Sequence, residues 1–402
     1  MTEFENQCRA SVDRLRTALV ELYDSIGADP GKPQDVSRAL RVNKTLAWNV
    51  ARLLQAEDSL AAVSHVPGAS SLEKVIQAGA RNGADAETVA KAREAVADFR
   101  RMISAHAGDR PTLDLIIDGA RSTKSPLELS RKLAFRGNSG LYGVQARTHF
   151  QCNFIAPNWD DPSKLDMVTV RGLVGLRRLR PNVRWPIFMI RAWSGRDEQI
   201  VTNGWEPIEP SPSAANGFPI LPSFCAGNAP PIETVDTPAG RDFVLGEGPV
   251  GNEGSFDCFC GDLMRGAVDL YASQEGDIGE FGAAITTPVE RLVSDIIVDE
   301  SLPFALKPET LVFGRIFAHG QQTGTRDDPT LLPISQATTE LPGSPPLVNT
   351  PLVPRYAQLL RQVCQRMGWS PDRFRGTRLL MEYPPLGSNV ILRFPLPTRP
   401  RT

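Results

Sequence analysis

Histidine is nearly missing from this chain, with four in 402 residues (His65, His106, His149 and His319). No two of them make an H-E-x-x-H metal site, and neither a G-x-S-x-G nucleophile elbow nor a G-K-[ST] phosphate loop occurs. Cysteine is sparse as well. Of Cys8, Cys152, Cys225, Cys258, Cys260 and Cys364 only Cys258 and Cys260 are neighbours, and their one-residue gap suits neither a C-x-x-C redox motif nor a zinc knuckle. Free thiols in a reducing compartment are expected, with no metal and no cofactor. Long apolar runs are absent too, none approaching the roughly 20 residues that span a bilayer. The first residues, MTEFENQCRASVDR, carry charges where a signal peptide needs an apolar core. These absences point to a soluble cytoplasmic chain without a membrane partner.

What is present is ordinary globular composition, 41% hydrophobic and 22% charged, in a chain long enough for two or three domains. The net charge of −2 conceals strong segregation. Residues 119–200 hold fourteen Lys/Arg against six Asp/Glu, residues 201–354 six against twenty-one, and residues 355–402 nine against two. Blocks of opposite sign can pair within a fold or between subunits, or leave a basic surface free for an anionic partner.

Organisation changes along the chain. Residues 1–120 read as helical: Val12, Leu15, Leu19, Leu22, Tyr23 and Ile26 form a stripe that ends at Gly27. Asp85 opens a helix whose face carries Val89, Val96, Phe99 and Ile103. Capping boxes are expected at Ser70/Glu73 and at Ser125-Pro126-Leu127-Glu128. From about Gly140 short strand-like runs take over, at 168–173, 187–193, 309–317, 378–383 and 390–396, divided by segments rich in Pro and Gly, notably 206–232 and 329–354. Helices are expected at 287–297 and 354–367. The fold class is therefore α+β: residues 1–60 and a helical connection 61–139, then a β-rich α+β region 140–402 with long loops.

The most informative stretch is QDVSRALRVNKTLAWNVARLL, Gln34 to Leu54. Val36, Leu40 and Val42 lie inward on a first helix and turn, and Ala47, Val50 and Leu54 continue that face on a second helix capped by Asn43. The arrangement resembles the helix-turn-helix of bacterial transcriptional regulators, whose second helix enters the major groove. The resemblance covers about a tenth of the chain. It implies that Lys44, Thr45, Trp48 and Asn49 face the bases while Arg38, Arg41 and Arg52 meet phosphates. It also implies a dimer on double-stranded DNA and a C-terminal region that senses a small-molecule effector or oligomerises. Arg41 stands where the family favours glycine, and Ser37 where it favours alanine; arginine in a left-handed turn costs about 1 kcal/mol. The alternative for the same hairpin is packing or assembly.

Elsewhere, Arg171, Arg177, Arg178, Arg180 and Arg184 could grip an anion, with Trp185 beside them to stack on a base, or could pair with the acidic middle region. Gly246-Glu-Gly248-Pro-Val-Gly251 matches G-x-G-x-x-G in letters, but Pro249 and the polar residues after it predict a loop, not a nucleotide-binding helix start. Cys258 or Cys260 with His149 or His319 is the thiol–imidazole pairing the composition permits. Asp257, Asp262 and Asp269 are cation candidates, read mainly as solvated surface. No residue is assigned a catalytic role. A DNA-binding regulator is expected, with an interlocking assembly protein as the alternative and an enzyme without a linear motif as the second.

Overall fold

The computed structural model describes residues 3–120, 124–191, 206–210, 218–227, 231–237, 240–274, 276–315 and 325–399. The chain divides into two compact units, Met1–Pro126 and Leu127–Thr402. The class is α+β: the helices are mostly N-terminal and the second unit holds a large mixed sheet.

The first unit contains α1 (Glu3–Ser25), α2 (Pro33–Leu40), α3 (Lys44–Gln55), α4 (Ser59–Val63), α5 (Ala69–Arg81), α6 (Ala86–His106) and α7 (Arg110–Ala120). The stripe on α1 forms the centre of its core, with Val12, Leu15, Leu19 and Leu22 fully buried against Val50, Val75, Ile76 and Ala92. Asp85 caps α6, its carboxylate accepting from Thr88 N at 2.8 Å. The box expected at Ser70/Glu73 does not form. Gly68 supplies the cap backbone one residue before α5, and Glu73 instead pairs with Arg93 of α6 at 3.0 Å. The Ser125–Glu128 box falls at the start of α8 (Lys124–Tyr142), where the side chains of residues 125 and 126 lie outside the described residues.

The second unit is built on β1 (Val144–Pro157), β2 (Lys164–Arg178), β8 (Phe256–Asp269), β10 (Val289–Asp299) and β13 (Phe374–Glu382). With β4 (Glu206–Pro207), β5 (Ala226–Gly227) and β12 (Thr338–Leu341) they form one sheet of order β12-β13-β10-β1-β2-β8-β4, in which β5 also pairs with β8. Among the described residues, only the β1–β10 pairing within it is parallel. A second sheet is β11 (Glu309–Phe313), β14 (Asn389–Pro395) and β9 (Ile278–Ala284); a third is β3 (Trp185–Arg191), β7 (Gly240–Leu245) and β6 (Ile232–Thr237). Helix α9 (Tyr356–Met367) buries Leu359, Leu360 and Val363 against Phe150, Phe154, Val293 and Ile297 of the large sheet. The opposite face packs Leu292, Ile296 and Met381 against Ala283, Val390 and Leu392.

Of residues 287–297, expected as helix, 289–297 belong to strand β10 instead. Val289, Leu292, Val293, Ile296 and Ile297 mimic helical spacing, but the strand is covered on both faces, so its apolar positions need not alternate. Among the described residues, no helix is long and apolar enough to cross a membrane.

Candidate nucleic-acid interface

Helices α2 and α3 are joined by Arg41, Val42 and Asn43. Arg41 takes the left-handed conformation, φ 53° and ψ 40°, which glycine adopts without strain. The turn is tied from inside: Ser37 O accepts from Arg41 N–H and from Val42 N–H at 3.2 Å, and Ser37 Oγ donates to Val42 O at 2.8 Å. Ser37 thus closes the turn that Arg41 opens, and the Oγ bond is the part of this that alanine could not supply.

Asn43 starts α3, its side chain accepting from Thr45 N at 2.7 Å. The other end is held from α1, where Arg16 Nη2 donates to Leu54 O at 2.9 Å and Ala56 O at 2.8 Å. These are carbonyls a helix leaves without internal partners, and a cation there also suits the helix dipole. The inner face of α3 is Ala47, Val50, Ala51 and Leu53, all buried. Leu54, expected inward, is half-buried and packs against the same core, with Leu53 fully buried beside it.

The outer face of the hairpin carries Arg38, Arg41, Lys44, Thr45, Trp48 and Arg52, all exposed, with Asn49 half-buried beside them. Trp48 keeps 46% of its surface accessible. Arg38 pairs with Asp35 at 3.2 Å; among the described residues Arg41, Lys44 and Arg52 form no ion pair. Residues 33–56 hold four cations and one acid, so the −2 of the first 118 residues arises outside this face. At 12 residues α3 is about 18 Å long, and a bare helix fits a major groove roughly 12 Å wide.

The five arginines singled out in 171–184 do not converge. Arg171 pairs with the buried Asp262 at 2.9 Å, and Arg184 with Glu233. Arg177 Nη1 donates to Asn252 at 3.0 Å and Arg180 Nη2 to Leu141 O at 2.8 Å. Arg178 is 1% exposed and donates to Val183 O and Gly246 O. Four of these partners come from residues 201–354 and two of them, Asp262 and Glu233, are carboxylates, so part of the segregated charge closes on itself within the chain. Trp185, the stacking candidate, spends its indole N–H on Thr287 Oγ1 at 2.9 Å.

The G-x-G-x-x-G letters fall on a loop between β7 and a short 3₁₀ turn, Gly251–Gly254. Gly246 is needed there because a Cβ would stand 2.9 Å from Pro231 O. His149 and the Cys258/Cys260 pair share a face of the large sheet, but β2 lies between their strands, which separates the backbones by roughly 10 Å. Burial, aided by the Arg171 cation, lowers His149 to about 4, while burial raises Cys260 to about 12. Neither shift favours the thiolate–imidazolium pair that thiol catalysis uses. His319 lies outside the described residues. Asp262 is taken up by Arg171 and Asp269 by Lys164, and Asp257 accepts from Gly175 N at 2.7 Å. Among the described residues no group of three or more His, Cys, Asp or Glu could hold a metal ion.

No protein-family model, curated protein or solved structure matches the chain.

Proposed function

We propose that this chain is a DNA-binding transcriptional regulator that reads double-stranded DNA with α3. One observation carries the reading: a short exposed helix, held at both ends by side chains outside its own turns, presents cations and polar groups while its opposite face is sealed into the core. The left-handed hinge at Arg41 supports it, because that is the conformation for which the family favours glycine. In this reading Lys44, Thr45, Trp48 and Asn49 meet base edges, and Arg38, Arg41 and Arg52 meet phosphates. The regulator works in the cytoplasm as a dimer, so that two copies of α3 reach successive major-groove turns. The second unit then binds a small effector or a second copy.

The test is selection from a fragmented genomic DNA pool across a salt series, with a Lys44→Ala/Asn49→Ala variant beside the native chain. Selective binding that weakens steeply with salt and is lost in the variant is expected. Unselective binding, or none, in a chain that remains folded would reduce the hairpin to a packing unit.

An assembly role has one observation in its favour. On α8, Leu129 and Leu133 lie one turn apart, each 58% exposed, and Leu141 is 68% exposed. Sedimentation distinguishes the readings, a discrete dimer fitting the regulator and a large closed oligomer the assembly.

A further inference from the structure

Three cysteines gather where residues 218–227 run beside β8. Ala226 faces Asp257 and Gly227 faces Phe256 in antiparallel register. Carried back one residue, that register sets Cys225 opposite Cys258. Facing residues in such a ladder have Cα atoms about 4.5–5.5 Å apart, inside the roughly 4.4–6.8 Å that a disulfide spans. The side chains agree with the backbone. Phe259 N–H donates to Cys225 Sγ at 3.4 Å, and the Cys225 thiol is directed back at Phe259 O at 3.8 Å, which seats the sulfur on β8 beside Cys258. The segment is also anchored on β8 apart from the thiols, by Leu221 N–H to Phe259 O and Gly261 N–H to Pro219 O, both 2.8 Å. Cys260, the third thiol, is bridged to Ile220.

We propose that Cys225 and Cys258 are a redox modification site, closing reversibly to a cross-strand disulfide with a small disulfide such as oxidised glutathione as oxidant. Cys225 is half-buried and within reach of a small molecule, whereas Cys258 is 8% exposed. The hydrogen bond from Cys258, with that from the Phe259 amide, lowers the Cys225 thiol below its ordinary range, while Cys258 is driven well above it by Cys225 and by burial. As the accessible member of the pair, Cys225 is the attacking thiolate, and the buried Cys258 is the resolving thiol.

In the first step the Cys225 sulfur bonds to one sulfur of the oxidant, whose S–S bond breaks to release one thiolate. In the second, the Cys258 sulfur attacks the Cys225 sulfur of this mixed disulfide and expels the other thiolate. The two protein thiols lose two protons, which the two expelled thiolates take up. Two protein thiols and one small disulfide become one protein disulfide and two small thiols. The product would clamp residues 218–227 covalently to β8.

The experiment treats the full native chain with oxidised glutathione, alkylates the remaining thiols and maps tryptic peptides by mass spectrometry. Arg241 separates the Cys225 peptide from the one that carries both Cys258 and Cys260. A Cys225–Cys258 linkage is expected that dithiothreitol reverses and that persists in Cys260→Ser. In Cys258→Ser, Cys225 should instead accumulate as the mixed disulfide with glutathione. The proposal is overturned by the absence of any linked pair in the folded native chain, or by linkage to Cys260 at equal or greater abundance than to Cys258.

Discussion

Asp295 and Arg378 face each other directly across the β10–β13 ladder. The Asp295 carboxylate, 0% exposed, receives Arg378 Nη2 at 2.7 Å and Nε at 3.0 Å. Tyr356 Oη of α9 donates to the same carboxylate at 2.8 Å, and Arg378 also reaches Val348 O at 2.8 Å. Burial pushes the carboxyl up, against the Arg378 fork and the Tyr356 hydroxyl, which favour its charged form. The group joins the large sheet, α9 and the 345–350 segment in one buried polar network.

Removing half of that pair leaves a buried cation without its counterion. Asp295→Ala should lower the unfolding free energy by about 3–5 kcal/mol, read as a fall in the urea midpoint. Asp295→Leu with Arg378→Met should recover most of the loss. A double variant as unstable as the single one would show that the pair is not the source of the cost.

His149 gives the stability a pH dependence of definite sign. Its folded value, about 4, lies below the ordinary 6.5, so the unfolded chain binds the proton more readily between those limits. The contribution is complete above pH 6.5 and is lost as pH falls toward 4. The span is worth about 3 kcal/mol. The fall in melting temperature from pH 7 to pH 5 should be smaller in His149→Gln; an identical fall in both proteins would refute this assignment.

Arg41 separates stability from binding. Glycine there should raise stability by about 1 kcal/mol, since φ 53° strains an arginine and not a glycine. If Arg41 meets phosphate, Arg41→Gly should at the same time weaken DNA binding evenly across sequences and make the salt dependence shallower by about one charge. Stability and affinity rising together would remove Arg41 from the interface.

Thiol reactivity should be ordered by position. Cys225 is lowered, whereas Cys8 is raised to about 11, Cys260 and Cys364 to about 12, and Cys152 and Cys258 well above the ordinary 9.0. Iodoacetamide applied to the native chain near neutral pH should therefore label Cys225 first among the six. Faster labelling of any buried thiol would contradict this order.

What the sequence determined by itself was local. The apolar stripe of α1, the Asn43 and Asp85 caps, the face of α9 and the change to short strands after residue 140 depend on neighbours within a turn or on alternation along one segment. The α2–α3 hairpin was legible for the same reason, whereas the left-handed turn at Arg41 was expected only from the resemblance to the helix-turn-helix. Local signals also misled. Glu73 finds Arg93 twenty residues on, and the apolar spacing in 289–297 suits a helix and a twice-covered strand equally. Only the tertiary structure could decide the long-range pairings: Arg171 with Asp262, Asp295 with Arg378, Cys225 opposite Cys258, and the burial that holds His149 neutral. Those depend on strand order and register, through which residues far apart in the chain become neighbours, and composition carries no record of either.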